Sequence, residues 1–424
     1  MRRRASIFFP LLSIFFSLFI VFLIPVVLFI KPYLPFVNYL LGQNKPTSYL
    51  VLLGNDTEIR TNGGFVGSYA KVSLSYPQYS FSFQDIYVPD GQLQGYVTPP
   101  APIQEAFQHG TWQLSNADWE PDFPTTATTL RWFFEKGGEI NPDNLVLLNL
   151  STIKKVLDVV GTVSVPEYSA SLTPDNLYLF LQGKAETNFF PGSTQKKDAL
   201  TAVGSALLKK FQTLSIFQKF NIAQILYQDL LNQNILINST NQDFQALLEA
   251  KNFAGKLTTS TPDTYLLIET NLGANKANAY VTRETSHVIS FENGQTTHQV
   301  TLKLVNSSPQ SNPNPPFNYG GDYRAYLRFY IPASAQNIQV ASASGALKFT
   351  PVQKYGLTEI GFWLITPAQN QSQVALSYTL PISPDKYSLT ILKQHGLVSS
   401  PQTIQINQKN FSTSLTNDYL LQGI

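Results

Sequence analysis

Cysteine is absent from the 424 residues, so neither a disulfide nor thiolate chemistry is open to this chain. Histidine occurs four times, at His109, His287, His298 and His395, too scattered for a histidine-rich metal site. Charge is scarce: Asp, Glu, Lys and Arg make up 13% of the residues and the net charge is +2. That leaves no basic surface to hold nucleic acid, which is excluded as a partner. Apolar matter is plentiful by contrast, with 43% hydrophobic and 13% aromatic residues. The length suits two or three domains with sizeable cores.

The apolar residues are most concentrated in 7–30, which run almost without a polar group. A helix of ~20 apolar residues covers the ~30 Å hydrocarbon core of a bilayer. Arg2, Arg3 and Arg4 precede the run and, by the positive-inside rule, stay cytoplasmic. No small-x-small cleavage site follows, which separates the segment from a cleaved signal peptide. The expectation is a cytoplasmic tail at 1–6, a transmembrane signal-anchor at 7–30 and a linker at 31–47. The bulk of the chain is then extracytoplasmic, on the outer face of the cell membrane.

Beyond the linker the texture changes once. Up to about residue 277, strand-like runs at 48–54, 66–74, 79–88, 145–150 and 162–166 alternate with helical ones. The helices are expected at 124–136, 151–160, 173–181, 194–211, 216–231 and 241–250. Such alternation predicts an α/β/α sandwich with a mixed sheet over 48–277. From 278 the helical period disappears. Short alternating runs at 280–292, 297–306, 325–331, 347–352, 359–365, 373–380 and 387–393 predict an immunoglobulin-like β-sandwich over 278–412. A polar loop at 306–323 interrupts it, and 413–424 form a C-terminal tail. The fold class is therefore α+β.

Three polar bursts follow apolar stretches in the first domain: Asn55-Asp-Thr-Glu-Ile-Arg-Thr-Asn-Gly-Gly-Phe65, Asp85-Ile-Tyr-Val-Pro-Asp-Gly91 and Asn116-Ala-Asp-Trp-Glu-Pro-Asp-Phe-Pro124. Turns after strands are where a rigid sheet displays functional groups. Asp85, Asp90, Asp118 and Asp122 could meet at one end of the sheet and bind Mg²⁺ through carboxylate oxygens. The alternative is that each caps a helix or ties a turn, as Asp122 before Pro124 suggests. Arg60 can grip a phosphate with its forked guanidinium, next to Gly63-Gly64, which permit close backbone approach. Alternatively it pairs with Glu58 or Asp90 and staples loops. Lys196 and Lys197, in the first turn of a helix, either gather positive charge around an anion or form a solvated pair offset by Asp198.

These bursts, with Val163-Ser-Val-Pro166, Asn271-Leu-Gly-Ala-Asn-Lys-Ala277, Tyr326-Leu-Arg-Phe-Tyr-Ile-Pro332 and Lys393-Gln-His-Gly396, resemble a bacterial membrane-anchored family, domain of unknown function 4012. Residues 141–166 are more distantly similar to the central segment of the LytR-CpsA-Psr proteins. That resemblance implies an anchored α/β/α domain acting on polyprenyl-pyrophosphate-linked glycopolymer with Mg²⁺, arginines and acids. It carries Arg60 onto that family's first Asp-x-Arg, Asp90 onto the Asp of its Arg-Asp-Thr, and Asn116 onto its Lys-x-Asn-x-Ala. Gln195-Lys-Lys-Asp198 falls near its Arg-Gln-Gln helix start. Pro89 stands where the arginine of Arg-Asp-Thr is expected, and Gly63-Gly64-Phe65 replaces an Arg-Ser-Asp-Thr-like stretch.

The site expected on these grounds has Asp90 and Asp118 as catalytic acids. Arg60, Lys196, Lys197 and Asn116 would bind substrate phosphate, and Asp85, Asp90 and Asp122 would hold Mg²⁺. Two functions fit it. One is a LytR-CpsA-Psr-like phosphotransferase moving a lipid-linked glycopolymer to a cell-wall acceptor. The other is a non-catalytic envelope module that binds glycan or protein. Both require the stated topology, so protease added to intact cells or spheroplasts is expected to remove everything after Lys31. Full protection in accessible cells would contradict it.

Overall fold

The computed structural model describes residues 33–186, 194–292, 294–309 and 320–422. The predicted membrane segment at 7–30 and most of the polar loop at 306–323 lie outside these. Among the described residues no helix is long and apolar enough to cross a membrane. The chain divides into two compact units, residues 1–48 with 72–81 and residues 49–71 with 82–424.

In the first unit, helix α1 (Leu34–Leu40) starts on a proline in its first turn and has no buried residue. The Thr47 hydroxyl donates to the Tyr39 carbonyl at 2.7 Å, and the Tyr76 amide donates to Leu41 at 3.0 Å. Gly42 has φ +66°, and a Cβ there would lie 2.0 Å from the Leu74 carbonyl oxygen. Only glycine fits that turn.

The second unit contains most of the first sheet. Its strands are β1 (Thr47–Ile59), β2 (Gly64–Ser75), β3 (Gln78–Asp85), β4 (Asn144–Asn149) and a later strand at Ile235–Ser239, in the order β3-β2-β1-β4 and then the later strand. β1 and β4 are parallel, with Tyr49 opposite Asn144, whereas β4 and the later strand are antiparallel. The sheet is therefore mixed, as expected. A two-strand ribbon, β5 (Val163–Val165) with β6 (Ala170–Leu172), stands apart, which makes the later strand β7.

Strand period 2 decides which residues face which layer. Leu50 and Leu52 of β1 and Leu145 and Leu147 of β4 form one core with Phe123, Ala127, Leu130, Phe133 and Phe134. After two short helices, α2 (Tyr87–Asp90) and α3 (Ala101–Phe107), those five residues belong to α4 (Phe123–Lys136). On the other side lie α5 (Leu150–Val160), α6 (Leu177–Glu186), α7 (Gln195–Gln212) and α8 (Ile216–Leu231), with their own core around Leu150, Leu157, Val160, Val203 and Ile222. Ser215 begins α8 with a capping box to Gln218. α9 (Gln242–Ala250) follows β7. The helix expected from Thr173 begins at Leu177 instead. The Asn176 side chain bonds the Thr173 amide at 2.8 Å and makes the intervening residues a turn.

Thirteen further strands form two sheets: β8 (Asp263–Asn271), β9 (Val281–Glu292), β10 (Gln295–Asn306), β11 (Tyr323–Pro332), β12 (Gln336–Ser342), β13 (Gly345–Ala346), β14 (Val352–Lys354), β15 (Leu357–Thr366), β16 (Asn370–Leu380), β17 (Leu389–Leu392), β18 (Pro401–Ile406), β19 (Lys409–Ser414) and β20 (Tyr419–Leu421). One sheet runs β13-β12-β16-β10-β9-β18-β19 and the other β14-β15-β11-β8-β17-β20. A single apolar core holds residues of both, among them Val300, Leu302, Leu327, Phe329, Ile360 and Leu376. β8 begins on the N-terminal side of residue 278 and pairs centrally, antiparallel to β11 and parallel to β17. The strand expected at 347–352 is not formed: residues 347–351 are irregular and link β13, at the edge of one sheet, to β14, at the edge of the other.

A polar thread runs through this apolar core. His287 bonds Gln402 and His298, each at 3.0 Å, and His298 bonds Asp263 at 3.0 Å. Tyr378 and Tyr387 donate to the Asp263 carboxylate at 3.0 and 2.7 Å. Burial opposes the charge on Asp263, but His298 and the two hydroxyls outweigh it and hold the carboxyl below its usual range. Burial also lowers the pKa of His287 to about 3, and that of His395 to about 3.

An unfolded imidazole protonates near pH ~6.5, so between that pH and about 3 the unfolded chain binds more protons at these two sites. Stability is then expected to fall as pH drops through that window, by up to about 1.4 kcal/mol per pH unit for each histidine. Urea midpoints compared near neutrality and near pH ~5 should show the decline, and His287→Gln should reduce it. Equal midpoints in the unsubstituted chain would contradict this account.

Candidate functional site

The side of the first sheet that faces α5, α6 and α7 does not close fully. A cavity of about 470 Å³ remains there. Its sheet wall is Leu53, Gly54 and Asn55 of β1 with Phe65, Gly67 and Ser68 of β2. Its helical wall is Leu150 and Ile153 of α5, Tyr178, Leu181 and Gln182 of α6, and Leu200 of α7. Asp85, Tyr87, Lys196 and Lys276 add the polar groups. A mostly apolar concavity with a few converging polar groups is the usual form of a small-ligand site.

Lys196 comes from the first turn of α7. Its ammonium donates to the Gly67 carbonyl at 2.5 Å and to Asp85 at 3.0 Å. An ammonium has three donors, so among the described residues one is left over. Burial lowers the Lys196 pKa although Asp85 works against this. Lys276 reaches the cavity from the segment after β8 and pairs with Glu58. Both lysines therefore bring positive charge to an apolar cavity, each compensated by a carboxylate.

Arg60 does not line this cavity. It is 3% exposed, donates to Glu58 at 2.9 Å and to the Asn271 carbonyl at 2.6 Å, and its guanidinium carbon lies 4.9 Å from the Phe65 ring centre. Burial raises the pKa of Glu58, but Arg60 and Lys276 outweigh it, so the net shift is downward. Arg60 thus staples the end of β1 to the end of β8, and a ring that lines the cavity covers it. The paired glycines serve chain packing as well. A Cβ on Gly64 would lie 2.0 Å from the Asn55 carbonyl carbon, and one on Gly396 would lie 2.4 Å from the Gly63 Cα.

The expected Mg²⁺ ligands do not converge. Among the described residues no group of three or more Asp, Glu or His is placed to hold a metal ion. Asp85 pairs with Lys196. Asp90 accepts the amides of Leu114 and Ser115 at 2.5 and 3.1 Å, and burial raises its pKa. Asp122 caps α4 through Thr125 and accepts the Leu257 amide at 2.9 Å. Asp118, 8% exposed, accepts the Asn62 side chain and amide at 2.6 and 3.1 Å, and burial raises its pKa too. Neither Asp90 nor Asp118, the expected catalytic acids, lines the cavity. A turn needs an acid for the same hydrogen-bonding capacity that a metal does, so sequence alone cannot separate the two.

Of the expected phosphate ligands, Lys196 alone lines the cavity. Lys197 is half-buried outside the lining. Asn116 is buried, its carbonyl accepts the Trp112 ring N–H at 3.0 Å, and its Oδ1 has no hydrogen-bond partner among the described residues. Lys276 and Tyr87 lie within motifs quoted above, yet nothing in their neighbours marked them as cavity residues. Arg60→Ala would leave Glu58 buried with one cation fewer. A loss of about 3–5 kcal/mol of stability is expected, the cost typical of breaking a buried pair. Calorimetry reads this directly, and an unchanged melting temperature would argue against the staple.

No curated protein matches the chain. Solved structures share limited likeness. TagV from B. subtilis is 17% identical, with 52% of this chain and 87% of that one covered and a TM-score of 0.29. Protein gbs0355 from Streptococcus agalactiae is 16% identical, with 53% and 80% covered and a TM-score of 0.33. TagT, solved bound to LIIa-WTA, is 14% identical, with 49% and 74% covered and a TM-score of 0.28. Another solved structure is spanned over only 55% of its length. Likeness at this level leaves both fold and chemistry to be argued from the chain itself. Residues 44–185 match the family described as "Protein of unknown function (DUF4012)", so the resemblance read from the three polar bursts holds over that span, which contains the sheet wall of the cavity.

Proposed function

We propose that this protein binds a lipid-linked, phosphorylated glycan carrier at the outer face of the cell membrane. The cavity between the first sheet and α5–α7 carries the reading. Leu53, Phe65, Ile153, Leu181 and Leu200 offer an apolar wall to an isoprenoid segment, and Lys196 and Lys276 offer cations to its phosphate. Transferring such a chain from water to apolar surface contributes ~25 cal/mol per Å². Membrane proximity fits two features. Residues 7–30 read as an anchor. Around the start of α8, Ile216, Phe217 and Phe220 are 73%, 79% and 60% exposed, with Lys209, Lys210 and Lys219 on the same stretch. Apolar side chains flanked by lysines are the composition of segments that lie in a lipid interface.

Holding the carrier is favoured over transferring its glycan. The one carboxylate in the lining, Asp85, is engaged by Lys196, and the other acids are committed to amides elsewhere. The residues do not fit a resident Mg²⁺, and the lysines supply the positive charge instead. In this reading the α/β region that ends with α9 holds the carrier, and the β region that begins at β8 contacts wall or partner protein.

Titrating the detergent-solubilised full chain with a polyprenyl phosphate tests the proposal. Lys196→Ala should weaken binding by about ten- to hundredfold, the loss expected for a hydrogen bond to a charged group. Leu200→Trp, which fills the cavity, should weaken it as well. Affinity unchanged in both variants would overturn the assignment of the cavity. Transfer of glycan to an acceptor by the unsubstituted protein would restore the phosphotransferase reading.

A further inference from the structure

The chain carries a second concentration of reactive groups, outside the cavity lining, where the loop before β7 meets the residue after β17. Lys393 follows β17 and is 2% exposed, yet no carboxylate pairs with its ammonium among the described residues. Its nitrogen lies 3.2 Å from the Asn234 side-chain oxygen and 3.2 Å from the Gln394 carbonyl. Asn234 is 2% exposed, and its side-chain nitrogen donates to Asp229 at 3.1 Å. Asp229, 1% exposed, also accepts Thr152 at 2.7 Å and Lys155 at 2.6 Å. These contacts fix the amide: its oxygen must face the lysine donor and its nitrogen the carboxylate.

We infer that Lys393 and Asn234 become joined by an intramolecular isopeptide bond, formed by the folded chain itself with Asp229 as the proton carrier. The Lys393 nitrogen attacks the Asn234 carboxamide carbon, and a C–N bond forms. The proton released from that nitrogen passes through the Asp229 carboxylate to the asparagine nitrogen. The old C–N bond breaks and ammonia leaves. No oxidant, reductant or cofactor enters the balance.

Three features favour the step. Burial holds the Lys393 pKa down, to about 7, so the nucleophilic amine is populated at neutral pH. The reacting groups are fixed from both sides. The Gly396 amide bonds the Gln233 carbonyl at 2.9 Å, the Asn149 side chain bonds the Asn234 carbonyl at 3.0 Å, and the Asn234 amide bonds the Asp229 carbonyl at 2.8 Å. Such positioning makes the attack effectively unimolecular. Asn234 is 2% exposed, which limits the access of bulk water to an amide that water would otherwise hydrolyse. The bond would tie β7 of the first sheet to β17 of the β14-β15-β11-β8-β17-β20 sheet. A chain without cysteine would thereby gain a cross-link indifferent to redox conditions.

Mass spectrometry of the folded full chain decides the matter. The intact mass is expected to fall short of the sequence mass by one ammonia. A tryptic digest should contain one branched peptide joining the segments of Asn234 and Lys393. Lys393→Arg and Asn234→Ala should each restore the full sequence mass. Recovery of Asn234 and Lys393 in separate peptides from the unsubstituted, folded chain would overturn the inference. So would a mass deficit that persists in Lys393→Arg.

Discussion

The buried carboxylate of Glu58 is the constraint around which the junction of the two sheets is arranged. A charge with 4% of its side chain exposed is tolerable only with opposite charge in contact. Arg60 supplies one partner from two residues along the same chain segment, and Lys276 supplies the other from the segment after β8. Satisfying Glu58 therefore fixes where the first sheet meets the second. It also places Phe65 and Lys276 at the cavity. The cavity thus owes part of its lining to a pairing that takes place behind it.

The rest of the junction follows the same logic. Gln394 donates to the Arg60 and Glu269 carbonyls and accepts the Glu269 amide, so one side chain satisfies the backbones of both sheets. Arg328, fully buried, donates to Thr61 at 2.8 Å and lies 4.1 Å above the Trp119 ring. His395 bonds Asn62 at 2.8 Å, and Asn62 holds Asp118. Polar contacts of this density demand defined geometry, since a partly satisfied network costs more than an apolar one. They join the Asn55–Phe65 burst to the Lys393–Gly396 motif across most of the chain's length.

Periodicity made much of the architecture legible. The helices at 124–136, 151–160, 216–231 and 241–250 and the strands at 280–292 and 297–306 fall within a residue or two of their observed bounds for most, because their apolar faces repeat cleanly and turn residues bracket them. β8 escaped notice: buried on both faces, Thr264–Thr270 shows no alternation to read. The site was less legible. Acids in turns read alike whether they cap a helix or hold a ligand, and tertiary contacts made Asp90, Asp118 and Asp122 recipients of amides. Leu53, Ile153, Leu181 and Leu200 are indistinguishable in sequence from ordinary core residues, because nothing local says that the core beside them is left unfilled.

The strand order also bears on how the chain is made. β8 lies between β11 and β17, and β9 between β10 and β18. Each central strand therefore keeps one edge bare until residues 389–406 are available to pair. A bare edge rich in Thr, Tyr, Val and Ile is a template for pairing with other chains. A chain ended before that point would carry both bare edges and be prone to aggregate rather than act as a shortened working protein.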